Sequence, residues 1–167
     1  MGIRSEEITG YWLIGWCKMI KKYTFGLDIW GLLIFLIIMV PNFIWFAVPA
    51  PNDVLRTESV TPVIDGIASV CQVIFVAALC IVKRRDVERI KATPLIVMVG
   101  VSVALYFVGW IFYYIGVANP LVILLLTMSP CGAFILFAAD RKNTVAMIPA
   151  VGFTFCHIIY SAINFIF

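Results

Sequence analysis

Charge is missing from most of this chain. Residues 29–52, 66–82, 92–139 and 143–167 contain no Asp, Glu, Lys or Arg. The third stretch is too long for one membrane crossing, and Asn119-Pro120 divides it near the middle. Five apolar segments result, each near the roughly 20 residues needed to cross about 30 Å of hydrocarbon. Charged residues make up only 13% of the chain, about half the share usual for a soluble domain. A soluble fold of 167 residues, 63% of them hydrophobic, could not hide that much apolar surface from water.

Other absences narrow the function classes. There is a single histidine, His157, and no Cys/His/Glu cluster near it, so no metal site and no cofactor is implied. None of Cys17, Cys71, Cys80, Cys131 and Cys156 stands in a C-x-x-C arrangement, and all five read as small apolar packing residues. No paired carboxylates and no convincing nucleophile–base pair occur in the spans, so the chain is not expected to be an enzyme. A Ser161–His157–Asp65 set can be drawn, but Ser161 and His157 lie one turn apart on one helix. No nucleic-acid-binding pattern is visible. The start of the chain, acidic first and lysine-rich later, is the reverse of a cleavable signal sequence. No internal repeat supports an inverted-repeat transporter.

What remains is an all-α integral membrane bundle of five transmembrane helices behind an N-terminal amphipathic interfacial helix. The predicted spans are about 30–48, 62–82, 94–117, 120–139 and 144–167, in one domain covering 29–167. Pro62, Pro94 and Pro120 open three of them, where the missing N–H of proline costs nothing. Membrane strands are excluded because apolar and polar residues do not alternate. Residues 1–28 form the separate leader. In it Ile8, Trp12, Trp16 and Ile20 recur every four residues up to Tyr23, with Lys18, Lys21 and Lys22 largely opposite. Such a helix lies at headgroup depth, or packs on the bundle as an ordinary leader.

Orientation follows from Lys and Arg. With the N-terminus cytoplasmic, Arg4, Lys18, Lys21, Lys22, Lys83, Arg84, Arg85, Arg89, Lys91, Arg141 and Lys142 fall inside, and Arg56 alone falls outside. The expected location is the cell membrane, with the C-terminus outside. Lys83, Arg84, Arg85, Arg89 and Lys91 are candidates for contact with anionic lipid, or serve to fix topology alone.

Ionisable groups inside spans are costly and mark candidate sites. Asp65 and His157 are the two, at similar depth in the outer half. Asp65, Ser69 and Gln72 share one helix face, as do Tyr106, Trp110 and Tyr113, and also Thr154, His157, Ser161 and Asn164. From these faces Asp65, Gln72, Tyr106, Trp110, Tyr113, His157, Ser161 and Asn164, with Asn42, are the nine candidates for an outward-facing polar cavity that takes a cationic or amphiphilic small molecule by charge pairing and cation–π contact. The alternative is that these side chains only join helices by hydrogen bonds. Pro41, Pro130 and Pro149 lie inside spans and invite bends. Gly100, Gly109 and Ser102 would let helices approach closely.

The end of the first span, MVPNFIWF, followed by a short Pro-rich loop, resembles uncharacterised small multi-pass membrane proteins of Gram-positive bacteria over about residues 29–90. The resemblance implies no activity. The Trp- and Pro-rich motifs of translocator proteins are not matched, nor is any motif of vitamin-transporter binding components. Two functions are expected from these observations. One is binding, or help in transport, of a small molecule. The other is a non-catalytic role beside another membrane subunit, as sensor, immunity factor or accessory protein. The lipid bilayer is the partner common to both.

Overall fold

The computed structural model describes residues 22–85, 87 and 91–166. The predicted leader helix therefore lies almost wholly outside the described residues, as does Arg89. Its expected last residue, Tyr23, is extended instead. Strand β1 (Tyr23–Phe25) pairs antiparallel with β2 (Val82–Arg84), Thr24 facing Lys83. This ribbon is too short to carry a sequence signal, and it is the only strand pairing among the described residues.

Five helices follow the predicted spans closely: α1 (Ile29–Ala47), α2 (Pro62–Ile81), α3 (Pro94–Tyr114), α4 (Pro120–Asp140) and α5 (Thr144–Ser161), the last running on as a π turn, Ala162–Ile166. Each is long and apolar enough to cross a bilayer, and the chain is a multi-pass membrane protein. Val63, Val73, Ile111, Ile148 and Phe155 point outward, between 62% and 74% exposed, a surface made for lipid rather than water.

The helix ends explain the boundaries. Asp28, Thr93, Asn119 and Asn143 accept hydrogen bonds from the first-turn amides of α1, α3, α4 and α5. Helix α3 stops three residues before the predicted end because Gly116 adopts φ +91°. There the Val117 amide donates to the Phe112 carbonyl at 3.0 Å and the Gly116 amide to Tyr113 at 3.1 Å, the glycine-dependent closure of a helix end.

These end contacts also fix the antiparallel alternation. One end of the bundle, here the basic end, gathers the ribbon, the start of α1, the end of α2, and the α4–α5 turn. Its centre is the C-terminus of α2. The Asp28 amide donates to Cys80 at 2.6 Å and the Gly26 amide to Ile81 at 2.9 Å, while Asn143 Nδ2 donates to the carbonyls of Ala78 (3.1 Å) and Val82 (2.9 Å). Carbonyls left over at a helix terminus are thus taken up by neighbouring chain. Asp28 and Arg141, both buried, form an ion pair at 3.3 Å beside them.

Helix α4 is central, with 56% of its apolar stretch buried. It packs along α3 and α5, and α5 packs along α2. Gly109 meets Leu125 and Leu126 of α4, as its lack of a side chain allows, whereas Gly100 faces open space. Helix α1 touches the rest sparsely. Its closest approach is at the basic end, where a Cβ built on Gly31 would lie 2.4 Å from the Leu79 carbonyl oxygen of α2. Towards the other end α1 and α2 part.

Candidate functional site

The gap between α1 and α2 is a cavity of about 440 Å³, within the range of small-molecule sites. Helix α1 contributes Phe35, Ile38, Met39, Asn42 and Phe46 to one wall, and α2 contributes Asp65, Ser69, Gln72 and Phe75 to the other. Tyr106 of α3, Pro130 of α4 and His157 and Tyr160 of α5 form the back. On the side of the basic end the cavity is bounded by an aromatic cluster, Phe75 lying 5.0 Å from Phe134 and 5.4 Å from Phe153 between ring centroids.

Of the nine candidate residues, five meet here: Asn42, Asp65, Gln72, Tyr106 and His157. They come from four helices, which no periodicity within one helix could have joined. Asn42 Nδ2 donates to Tyr106 Oη at 2.7 Å, linking α1 to the back wall. Asp65 accepts a hydrogen bond from Thr61 Oγ1 at 3.2 Å, and no described Lys or Arg pairs with it. His157 lies stacked between Phe153 (4.9 Å) and Tyr160 (6.0 Å). The cavity thus offers one carboxylate that has no ionic partner among the described residues, facing aromatic rings.

The other four candidates sit elsewhere. Trp110 and Tyr113 continue the face of Tyr106 but run up α3 into packing against α1 and the loop after it, Trp110 edge-on to Tyr106 and Tyr113. Tyr113 is fully buried and donates to Asp53 Oδ1 at 2.9 Å. Ser161 is buried with its hydroxyl 2.9 Å from that of Thr127. It does not line the cavity. Asn164 accepts from the Val60 amide at 2.8 Å and donates to Thr61 Oγ1 at 3.0 Å, tying the end of the chain to the start of α2. These are the helix-joining roles that polar residues often take in membranes.

No protein-family model matches the chain. Neither curated proteins nor solved structures give a significant match. The geometry therefore carries the functional argument by itself.

A cluster that sequence reasoning passed over closes the far end. Trp45 Nε1 donates to both oxygens of Asp53, at 2.9 and 3.0 Å, and Arg56 pairs with Asp53 at 2.8 Å while its guanidinium lies 5.0 Å from the centre of the Trp45 ring. Burial pushes the Asp53 carboxyl up, but the hydrogen bonds from Trp45, Tyr113 and the Ala50 backbone, with the Arg56 charge, outweigh it and hold the group below its ordinary value. The available signal was the Asp53-x-x-Arg56 spacing, which carries the one basic residue of that side. Of the lipid-contact candidates, Lys83 and Arg84 form part of β2, Arg85 follows it, and Lys91 is exposed ahead of α3.

Proposed function

We propose that this protein binds, or helps to move, a cationic or amphiphilic small molecule in the cleft between α1 and α2, without catalysing a reaction on it. The observation that carries this reading is Asp65. Its carboxylate, in the first turn of α2, faces a cavity of ligand size and pairs with no Lys or Arg among the described residues. Aromatic rings of Tyr106, His157 and Tyr160 around it would complete recognition of a positive charge. The engagement of Ser161 with Thr127 supports the non-catalytic reading.

The test uses tetraphenylphosphonium, a hydrophobic cation, in thermal-shift and equilibrium-binding assays. It is expected to stabilise the native protein. Asp65→Asn, which keeps an acceptor for Thr61, is expected to weaken binding about 10- to 100-fold, the loss of a charge attraction of about 1.4–2.8 kcal/mol for unit charges roughly 6 Å apart at an effective dielectric of about 20–40. Equal binding to both proteins would refute the role of Asp65.

The same proposal places the basic end in the cytoplasm of a cell membrane and the cleft towards the exterior, on the distribution of Lys and Arg. A reporter that matures only outside the cytoplasm, fused after residue 167, is expected to be active. A cytosol-only reporter working at that position would reverse the orientation. The second role, beside another membrane subunit, is favoured by the sparse packing of α1, which leaves a seam that a partner helix could enter.

A further inference from the structure

The basic end holds a second cavity, of about 640 Å³, independent of the cleft. It is lined by Lys83, Arg84, Arg85 and Arg141, by Asp28 and Thr24, and by Ile29 and Trp30 at the start of α1. Lys83, Arg85 and Arg141 thus face the carboxylate of Asp28, the one acidic side chain among the described lining residues. That carboxylate is already committed, because Asp28 Oδ1 accepts from the Trp30 and Gly31 amides and Oδ2 pairs with Arg141.

Arg141 is the informative residue. It is only 6% exposed. Its Nη2 donates to Asp28 at 3.3 Å and to the Val87 carbonyl at 3.1 Å. Its Nε and Nη1 are buried and have no hydrogen-bond partner among the described residues. Buried donors on a charged group are costly when left unused. Nε and Nη1 lie on different edges of the guanidinium, each beside the occupied Nη2, so Arg141 offers the cavity its positive charge rather than a free two-pronged edge. Ile29 and Trp30, each at least half exposed, put apolar surface beside the cations, and tryptophan at such a position suits the membrane–water boundary.

We infer that this cavity binds a phosphate-bearing anion, held by Lys83 and Arg85 at its mouth over the buried charge of Arg141. The apolar rim favours the headgroup of an acidic phospholipid, its chains running past Ile29 and Trp30. The site differs from general attraction of a basic loop to an anionic surface, because it requires a buried guanidinium and a defined cavity.

The experiment compares melting temperatures in nanodiscs of phosphatidylglycerol and of phosphatidylcholine. A lipid-free detergent arm compares inorganic phosphate with chloride at equal ionic strength. Phosphatidylglycerol is expected to raise the midpoint by roughly 4–8 °C, as two basic contacts would in a chain of this size. Lys83→Gln on the ribbon with Arg85→Gln just after it is expected to remove most of that rise while leaving the phosphatidylcholine midpoint unchanged. Stabilisation by inorganic phosphate without a phosphatidylglycerol effect would uphold the anion site and assign it to a soluble phosphate compound. Equal midpoints in both lipids and no effect of phosphate would overturn it, as would a rise undiminished in the double variant.

Discussion

Replacing Arg141 by methionine is expected to destabilise the protein by about 3–5 kcal/mol, the usual result of leaving one member of a buried ion pair behind. Asp28 would then stand buried without its ion-pair partner, with Lys83 and Arg85 only across the shared cavity. Arg141 also donates to the Val87 carbonyl, so part of the loss falls on the loop after β2. Asp28→Asn on the Arg141→Met background is expected to recover part of the deficit. Asparagine caps a helix as well as aspartate does, so the amides of Trp30 and Gly31 retain their acceptor. The measurement is denaturant unfolding in mixed micelles or zwitterionic nanodiscs, arranged as a double-mutant cycle. A single variant within 1 kcal/mol of the native protein would mean that the pair is solvated and structurally idle.

Gly31→Ala carries the second large effect. Helix propensity alone favours alanine by about 0.5–1 kcal/mol inside a helix. Here the new Cβ would stand 2.4 Å from a backbone oxygen, Leu79 Oof α2, which cannot rotate away as a side-chain tip could. Overpacking of this kind costs about 1–3 kcal/mol, so the clash wins and a net loss is expected. Gly100→Ala is the control. Nothing lies within 4 Å of a Cβ there, and the same substitution is expected to be neutral or mildly stabilising. Unfolding midpoints that fall together, or not at all, would show that the α1–α2 contact is not held by the absence of a side chain.

The spans were legible because hydrocarbon imposes a single rule over long stretches. Uncharged runs of the required length, with Pro62, Pro94 and Pro120 at their starts, place α2, α3 and α4 almost to the residue. The misses are local. Residues 115–117 are as apolar as the helix before them, so hydropathy runs through the turn that Gly116 makes. Strand β1 is three residues long and exists through its pairing with β2, a contact between distant parts of the chain. The candidate cavity was half legible for the same reason. Helical spacing correctly groups residues on one face, but a face is longer than a site. Tyr106 meets the cavity, and Tyr113, two turns on, meets Asp53. Which part of a face a neighbouring helix covers depends on where α1 departs from α2, and Gly31 alone gives no such information in sequence.

Asn143 has a consequence for biosynthesis. Its side chain closes the beginning of α5 through Ala146 and the end of α2 through Ala78 and Val82. Residue 141 likewise completes the surroundings of residue 28. While the ribosome is still making the first three spans, neither arrangement can exist. The ribbon and the Asp28–Cys80 contact can form once residue 84 is made, but the basic end is completed only by a stretch translated more than fifty residues after α2 ends.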